Sequence, residues 1–242
     1  MPLILAAETS TAINSVALLR DDALLAEAVI DGRRLHSERL LPTVDWLLGE
    51  AGLALRDIEL LAVASGPGSF TGLRIGAATW KGLALANDLP LVAVPTLDAM
   101  TRLCPCAAPS HLAVVLDARM KEVFAAVYRF EGGRRVKVIE DRACSIDVLL
   151  DALASLDGFD ASGLTVMGDG ADLYRTAISA RFERAVIPAP AQSAPRASAV
   201  ALEALALQAA GASTDAALVS PVYLRKSQAE INRDLKLVQS ST

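Results

Sequence analysis

The spacing of apolar residues in the first hundred positions predicts three strands and then an alternation of helices and strands. Apolar runs of strand length lie at 3–7, 15–20, 23–30, 58–64 and 91–94. Longer stretches with a helical period predict helices over 36–51, 72–87 and 96–103. The order βββαβαβα is typical of an α/β unit, in which helices cover a sheet.

The predicted helix over 36–51 has one apolar face and one mixed face. We expect the apolar residues, which recur at helical spacing, to be buried; they are Leu40, Leu41, Val44, Leu47, Leu48 and Ala51. Trp46 lies on the opposite side, with Arg39, Thr43 and Glu50 near it. An outward aromatic residue is either incidental or part of a protein interface, where aromatics are enriched.

The chain after residue 110 repeats this order of elements. The pattern predicts strands over 112–117, 122–130, 134–140 and 164–167, and helices over 146–155, 169–181 and 197–210. Because βββαβα occurs twice, we interpret the chain as a tandem duplication. The segment CPCAAPS, 104–110, is the predicted boundary. The predicted domains are therefore 1–104 and 111–224, followed by a mobile tail over 225–242.

Composition narrows the classes of function. Of 242 residues, 53% are hydrophobic, which is enough for a sizeable core, and the net charge is −5. An acidic chain binds nucleic acid poorly by itself, so a role on RNA would need a basic partner. No apolar run is long enough to span a bilayer and no basic segment precedes the N-terminal apolar stretch, so we expect a cytoplasmic protein without membrane contact. Three cysteines suit reduced thiols, and two histidines exclude a histidine-rich metal site.

The glycine-rich stretch SGPGSFTGLRIGAATWKGLALA, 65–86, allows two interpretations. It lacks both glycine patterns of phosphate-binding loops, although a phosphate could still lie at the helix N-terminus near Ser69 and Thr71. The alternative is close packing. Gly72 and Gly76 are four residues apart, and Thr79 and Leu83 continue their row on a helix that is apolar almost all round, so a second helix from a partner or from the same chain would cover it.

Two acidic positions are further candidates. Glu8, in the string ETST at the end of the first strand, could hold a hydrated Mg²⁺, although a surface carboxylate is the simpler interpretation. Asp117 and Arg119 could form a local ion pair or contact a ligand. His36 stands at the start of a helix, and nothing in the sequence positions it as a base.

Together these stretches resemble the TsaB family of bacterial tRNA threonylcarbamoyladenosine biosynthesis proteins, also named YeaZ or M22 glycoprotease-like. The resemblance rests on ETST, HSERLLPTVDWLL, GPGSFTGLRIG, LDARMKEVFAAVY and PVYLRK. It implies two tandem domains of the sugar kinase, Hsp70 and actin type, with an RNase H-like βββαβα order. The larger paralogue, TsaD, holds a metal through a H-x-E-G-H motif. Thr96, Asp98 and Met100 stand in its place here, so we expect no metal site.

The resemblance also implies a function. It predicts a non-catalytic subunit that forms a heterodimer with TsaD, acts with TsaE in modifying tRNA, contacts tRNA only within that complex, and forms a homodimer without TsaD. The helix pair of the first domain would be the partner surface, and its predicted contact residues are His36, Arg39, Thr43, Trp46, Gly72, Arg74, Gly76, Thr79, Trp80 and Leu83. We expect no cofactor of the chain's own, although ATP or ADP could lie at the partner interface near Glu8, Ser69 and Thr71. The alternative is an ATP-dependent phosphotransferase of the same superfamily.

Overall fold

A computed structural model describes residues 2–32, 36–104, 110–132 and 134–225. The first sheet contains β1 (Leu3–Glu8), β2 (Ile13–Arg20), β3 (Ala23–Asp31), β4 (Leu60–Gly66) and β5 (Leu91–Pro95). Its helices are α1 (His36–Glu50), α2 (Phe70–Asn87) and α3 (Thr96–Met100). These elements confirm the predicted order. The predicted helix over 96–103 ends as an α-helix at Met100 and continues as a short 3₁₀ helix, Thr101–Leu103.

The second sheet contains β6 (His111–Arg119), β7 (Glu122–Glu131), β8 (Arg134–Ser145) and β9 (Leu164–Met167). The helices that follow are α4 (Ile146–Ala154), α5 (Asp169–Leu173), α6 (Arg175–Arg181), α7 (Pro190–Ser193) and α8 (Ala197–Ala209). The prediction of one helix over 169–181 is wrong, because Tyr174 leaves the helical region (φ −104°, ψ 19°) and separates α5 from α6. Strand β8 also runs five residues beyond the predicted end at 140, to Ser145.

The strand orders confirm the duplication. They are β3-β2-β1-β4-β5 in the first sheet and β8-β7-β6-β9 in the second. In each sheet a three-stranded antiparallel meander pairs through its first strand with a later parallel strand, β1 with β4 and β6 with β9. Because parallel partners share a direction, their carboxyl ends meet at the same edge of the sheet.

Four apolar clusters fill the layers. Helices α1 and α2 cover one face of the first sheet, and α8 covers the other through Ala197, Val200, Ala201 and Ala204. Helices α4 and α6 cover the outer face of the second sheet. Its inner face packs against Leu97 and Met100 of α3. A helix late in the chain thus completes the first sheet, which the predicted division into 1–104 and 111–224 did not foresee.

A buried carboxylate links the two units. Glu203 of α8 is 2% exposed and accepts hydrogen bonds from Arg102 at 2.7 Å and from Arg135 of β8 at 2.6 Å. Asp98 of α3 accepts a hydrogen bond from the Tyr128 hydroxyl at 2.8 Å. Side chains of the second sheet therefore meet side chains of α3, α8 and the 3₁₀ helix in one charged network. The predicted boundary at 104–110 lies outside the described residues except for Cys104 and Ser110, and the predicted tail does so except for Arg225.

Candidate partner surface and strand-end crevice

The N-terminus of α2 is held against the loop that follows β1. The Ser69 hydroxyl accepts a hydrogen bond from the Gly72 amide at 3.3 Å, which caps the helix, and the Ser69 amide donates to the Ser10 carbonyl at 2.6 Å. The Thr9 hydroxyl donates to the Gly72 carbonyl at 2.9 Å. Two amides that could meet a phosphate thus already have partners within the chain. Contact of Ser69 and Thr71 with a nucleotide stays a prediction.

The glycine row of α2 serves packing within the chain. A Cβ at Gly72 would overlap the Thr9 carbonyl oxygen, one at Gly76 would overlap the Thr9 hydroxyl, and one at Gly68 would overlap the Ser10 carbonyl. The absent side chains therefore let α2 and its leading loop approach residues 9 and 10. For Gly72 and Gly76, the prediction that the row faces another molecule is wrong, because Thr9 of the same chain fills the space.

Several other residues that were predicted to contact a partner are buried. Trp80 is fully buried, and its indole N–H donates to the Leu5 carbonyl at 3.3 Å. Gly72 and Gly76 are also buried, and Thr43 is 8% exposed with its hydroxyl bonded to the Arg39 carbonyl. These four residues therefore offer little or no surface to a partner in this conformation. Conversely Leu41, predicted to be buried, is 46% exposed.

Another face of α2 is open, and we call it the α2 stripe. Its exposed members recur at helical spacing and are Thr71, Arg74, Ala78, Gly82 and Leu85. Leu85 is 70% exposed, and Trp46 on the neighbouring α1 is 57% exposed, as predicted for an outward aromatic. Arg39 is also exposed, and Thr79 and Leu83 are half-buried. The backbone of His36 begins α1, and its side chain lies outside the described part of the structure.

Glu8 is buried, so the surface interpretation of this carboxylate is wrong. It is 1% exposed and accepts a hydrogen bond from the Ser10 amide. Burial raises the pKa of Glu8 from 4.5 to about 7, against the opposing effect of the hydrogen bonds from Ser10 and Thr9. Nearby in the chain, the Ser10 hydroxyl and the Asn14 side-chain amide are buried without a hydrogen-bond partner in the described structure. Contact of Glu8 with a nucleotide stays a prediction, and it would require this loop to open.

The equivalent strand end of the second sheet is built differently. Asp117 and Arg119 form the predicted ion pair at 3.2 Å. The Asp117 amide donates to the Asp169 carboxylate at 2.9 Å, and burial raises the pKa of Asp169. Arg119, Met120 and Lys121 form the β6–β7 turn with φ values of 64°, 54° and 65°. Non-glycine residues rarely adopt this left-handed region, so the turn stores strain.

The C-terminal strap, residues 219–225, crosses both strand ends. The Val222 amide donates to the Ser65 carbonyl at the end of β4 at 2.7 Å. Leu224 packs on the inner face of the second sheet, and Arg225 pairs with Glu122 at 3.1 Å. Tyr223 stacks on Phe70 of α2 with ring centroids 4.3 Å apart, and its hydroxyl accepts from Arg74 at 3.0 Å. These contacts hold residues 219–225 against both units.

Residues 96–100 contribute to packing and hydrogen bonding. The Thr96 hydroxyl is buried and accepts from the Gly66 amide at 3.2 Å, and Met100 is buried in the inner cluster. Among residues that the structure describes, no group of three His, Cys, Asp or Glu side chains is arranged to hold a metal ion. No helix in that same part of the chain has the length and apolar content to cross a membrane.

The two sheets with matching strand orders define the chain as a protein of the actin and Hsp70-like α/β class. EutJ, an ethanolamine utilization protein from Carboxydothermus hydrogenoformans, shares this fold with a TM-score of 0.51 at 13% identity, over 84% of this chain and 89% of that one. A family model described as TsaD, tRNA N6-adenosine threonylcarbamoyltransferase, matches residues 24–233.

Two further comparisons are more specific. The tRNA threonylcarbamoyladenosine biosynthesis protein TsaB of Bacillus subtilis is 31% identical over 232 residues, which cover 94% of this chain and 96% of that protein. YeaZ from Pseudomonas aeruginosa superposes with a TM-score of 0.74 at 31% identity, over 93% of this chain and 100% of that one. The chain therefore belongs to the TsaB family, within the larger family that the TsaD model describes.

Proposed function

We propose that this chain is a non-catalytic subunit of the complex that installs the threonylcarbamoyl group on the adenosine 3′ of the anticodon in tRNA. In this proposal it acts in the cytoplasm, binds and activates the catalytic subunit TsaD, and works with TsaE. Without TsaD it forms a homodimer through the same surface. The likeness to B. subtilis TsaB over nearly the full length supports the pathway, and the exposed α2 stripe supports the partner role.

The α2 stripe is the observation that carries the partner role. Ala78 and Gly82 lie at its centre, where small side chains permit a close approach, and Leu85 exposes 70% of its surface at one end. Leu41 and Trp46 add exposed apolar surface on α1. Exposed apolar residues on adjoining helices suit a protein partner that contributes helices of its own. The net charge of −5 fits a subunit that reaches tRNA through a partner.

The strap weighs against the alternative of an ATP-dependent phosphotransferase. Open α/β sheets bind ligands in the crevice outside the carboxyl ends of their strands. Here Val222 and Leu224 contact the ends of both sheets, and Glu8 is buried beneath its own loop. We therefore propose that any ATP or ADP binds at the partner interface near Ser69 and Thr71. Calorimetry with MgADP should then give heat with the TsaD complex and none with the chain alone.

Charged substitutions on the α2 stripe test whether it is the partner surface. Ala78→Arg and Leu85→Asp should each weaken binding to TsaD by roughly tenfold or more, because each places a charge in an apolar contact. Val148→Asp is the matched control, since Val148 is 53% exposed on α4 of the other unit. Affinity would be measured by calorimetry, folding by circular dichroism, and self-association by light scattering. Unchanged affinity in both stripe variants would exclude this surface.

Activation is tested separately. Threonylcarbamoyl transfer to tRNA by TsaD and TsaE should depend on adding this chain, and the stripe variants should lose that effect in proportion to their lost affinity. Equal transfer rates with and without the chain would contradict the subunit role. Transfer by the chain without TsaD would contradict its non-catalytic nature.

A further inference from the structure

The strap has two inward contacts that lie on different sheets. At the first sheet, the Val222 amide donates to the Ser65 carbonyl, and the Val222 carbonyl lies so close to Gly66 that a Cβ there would be 2.5 Å away. Gly66 also has a φ of 112°, so glycine is required for both reasons. At the second sheet, Arg225 pairs with Glu122 at the start of β7.

Between these contacts, Leu224 fills an apolar space. It packs against the inner cluster of the second sheet, which includes Leu116 and Ala118 near the end of β6 and Phe124 at the start of β7. Lys81 of α2 also holds the strap, because its ammonium group donates to the Val219 carbonyl at 3.0 Å and to the carbonyl of Ala217, just before the strap, at 3.3 Å. The segment is therefore bonded along its length.

From these contacts we propose that the strap is a built-in occupant of the strand-end crevice and couples the ends of the two sheets. It lies where a separate ligand would bind in an open α/β sheet. Because it is tethered to the same chain, its effective concentration at the crevice is high, and a free ligand would have to displace it. The crevice is thus closed by the chain itself, and loosening the strap at one sheet loosens the contact at the other.

Hydrogen exchange measured by mass spectrometry on the full chain tests the coupling. Arg225→Glu removes the ion pair with Glu122 and leaves Val222 and Ser65 unchanged. We expect exchange to rise roughly two- to fivefold in residues 117–122, the effect of losing a partly exposed ion pair. The decisive result is a rise in residues 65–69 as well, although these belong to the other sheet.

Two further variants complete the test. Val222→Pro removes the amide that donates to Ser65 and should raise exchange in both segments, by roughly fivefold for one lost hydrogen bond. The charge reversal Glu122→Arg with Arg225→Glu should restore the original protection in both segments. Leu218→Asp is the control, because Leu218 lies just before the strap and is 69% exposed. It should change neither segment.

Three results would contradict the proposed coupling between the two sheets. If Arg225→Glu affects only residues 117–122, or if the reversed pair fails to restore residues 65–69, the strap does not couple the sheets. If Val222→Pro leaves residues 117–122 unchanged, the coupling also fails from the other end. These results are independent of TsaD binding, so they leave the proposed function untouched.

Discussion

The two sheets have matching strand orders, and their carboxyl ends differ in the length of the helix that follows and in the exposure of the nearby turn. At the first sheet, Gly72 and Gly76 bring a long helix into contact with Thr9, and Glu8 is sealed beneath the loop. At the second, the strained turn over 119–121 is exposed, and a five-residue helix starts at Asp169. Glycines allow close packing at both ends, because a Cβ at Gly168 or Gly170 would overlap β6. The same topology therefore supports a long helix at one end and a short helix with an exposed turn at the other. The long helices of the first unit, α1 and α2, carry the surface that we propose for a partner.

The largest effect is expected at Glu8. A raised pKa means that the folded protein holds the proton more firmly than the unfolded chain. The favourable contribution is therefore full below about pH 4.5 and is lost as the pH rises through about 7. Glu8→Gln removes this loss, so at pH 8 it should raise the free energy of unfolding by roughly 3 kcal/mol at most, and at pH 4.5 it should change little.

Urea unfolding of both proteins at pH 4.5, 6 and 8 measures this difference. The Asp169 pKa is also raised by burial, so the Glu8→Gln variant should keep a residual pH dependence of the same sign. A Glu8→Gln variant whose stability parallels the parent at all three pH values would show that the carboxyl is ionised without cost.

A matched pair of glycines on α2 sharpens the comparison. Gly76→Ala places a Cβ against the Thr9 hydroxyl and should destabilise the fold by about 1–3 kcal/mol through overpacking. Gly82→Ala, on the same helix, meets nothing within 4 Å and should stabilise it by up to about 1 kcal/mol through helix propensity. Urea unfolding midpoints of the two variants should therefore move in opposite directions. Movement in the same direction would show that the glycine row is not needed for the close approach.

The smallest effect is expected at the turn of the second sheet. Met120 is 64% exposed and has a φ of 54°, so Met120→Gly relieves strain without removing buried contacts. The variant should gain about 0.5–1 kcal/mol in the free energy of unfolding, less the entropy that glycine adds to the unfolded chain. Thermal unfolding would resolve the gain. A loss of stability would show that the Met120 side chain stabilises the turn by more than the strain costs.

Periodicity alone was sufficient to predict the strands of both units in their order along the chain, because buried strands and helix faces leave strong local patterns. The order of those strands within each sheet was not predicted. Contacts between distant segments leave none. The sequence pattern placed Trp80 equally well on the surface and in the core. It lies in the core, where its indole N–H donates to the Leu5 carbonyl of β1. The glycine row correctly indicated close packing, and its partner, Thr9, lies 63 residues from Gly72 in the chain. The Glu203 network joins α8 to β8 through charges that resemble ordinary surface residues.

The position of α8 has a consequence for how the chain is made. One face of the first sheet stays uncovered until residues 197–209 reach it, and those residues follow the whole second sheet in the chain. During synthesis this face, which includes Ile4, Ala6 and Val92, therefore has no α8 to cover it until residues 197–209 have been made. A chain that stops before α8 would keep an apolar face of the first sheet exposed. Such a face favours aggregation, so the unfinished chain would depend on chaperones or be degraded by proteases.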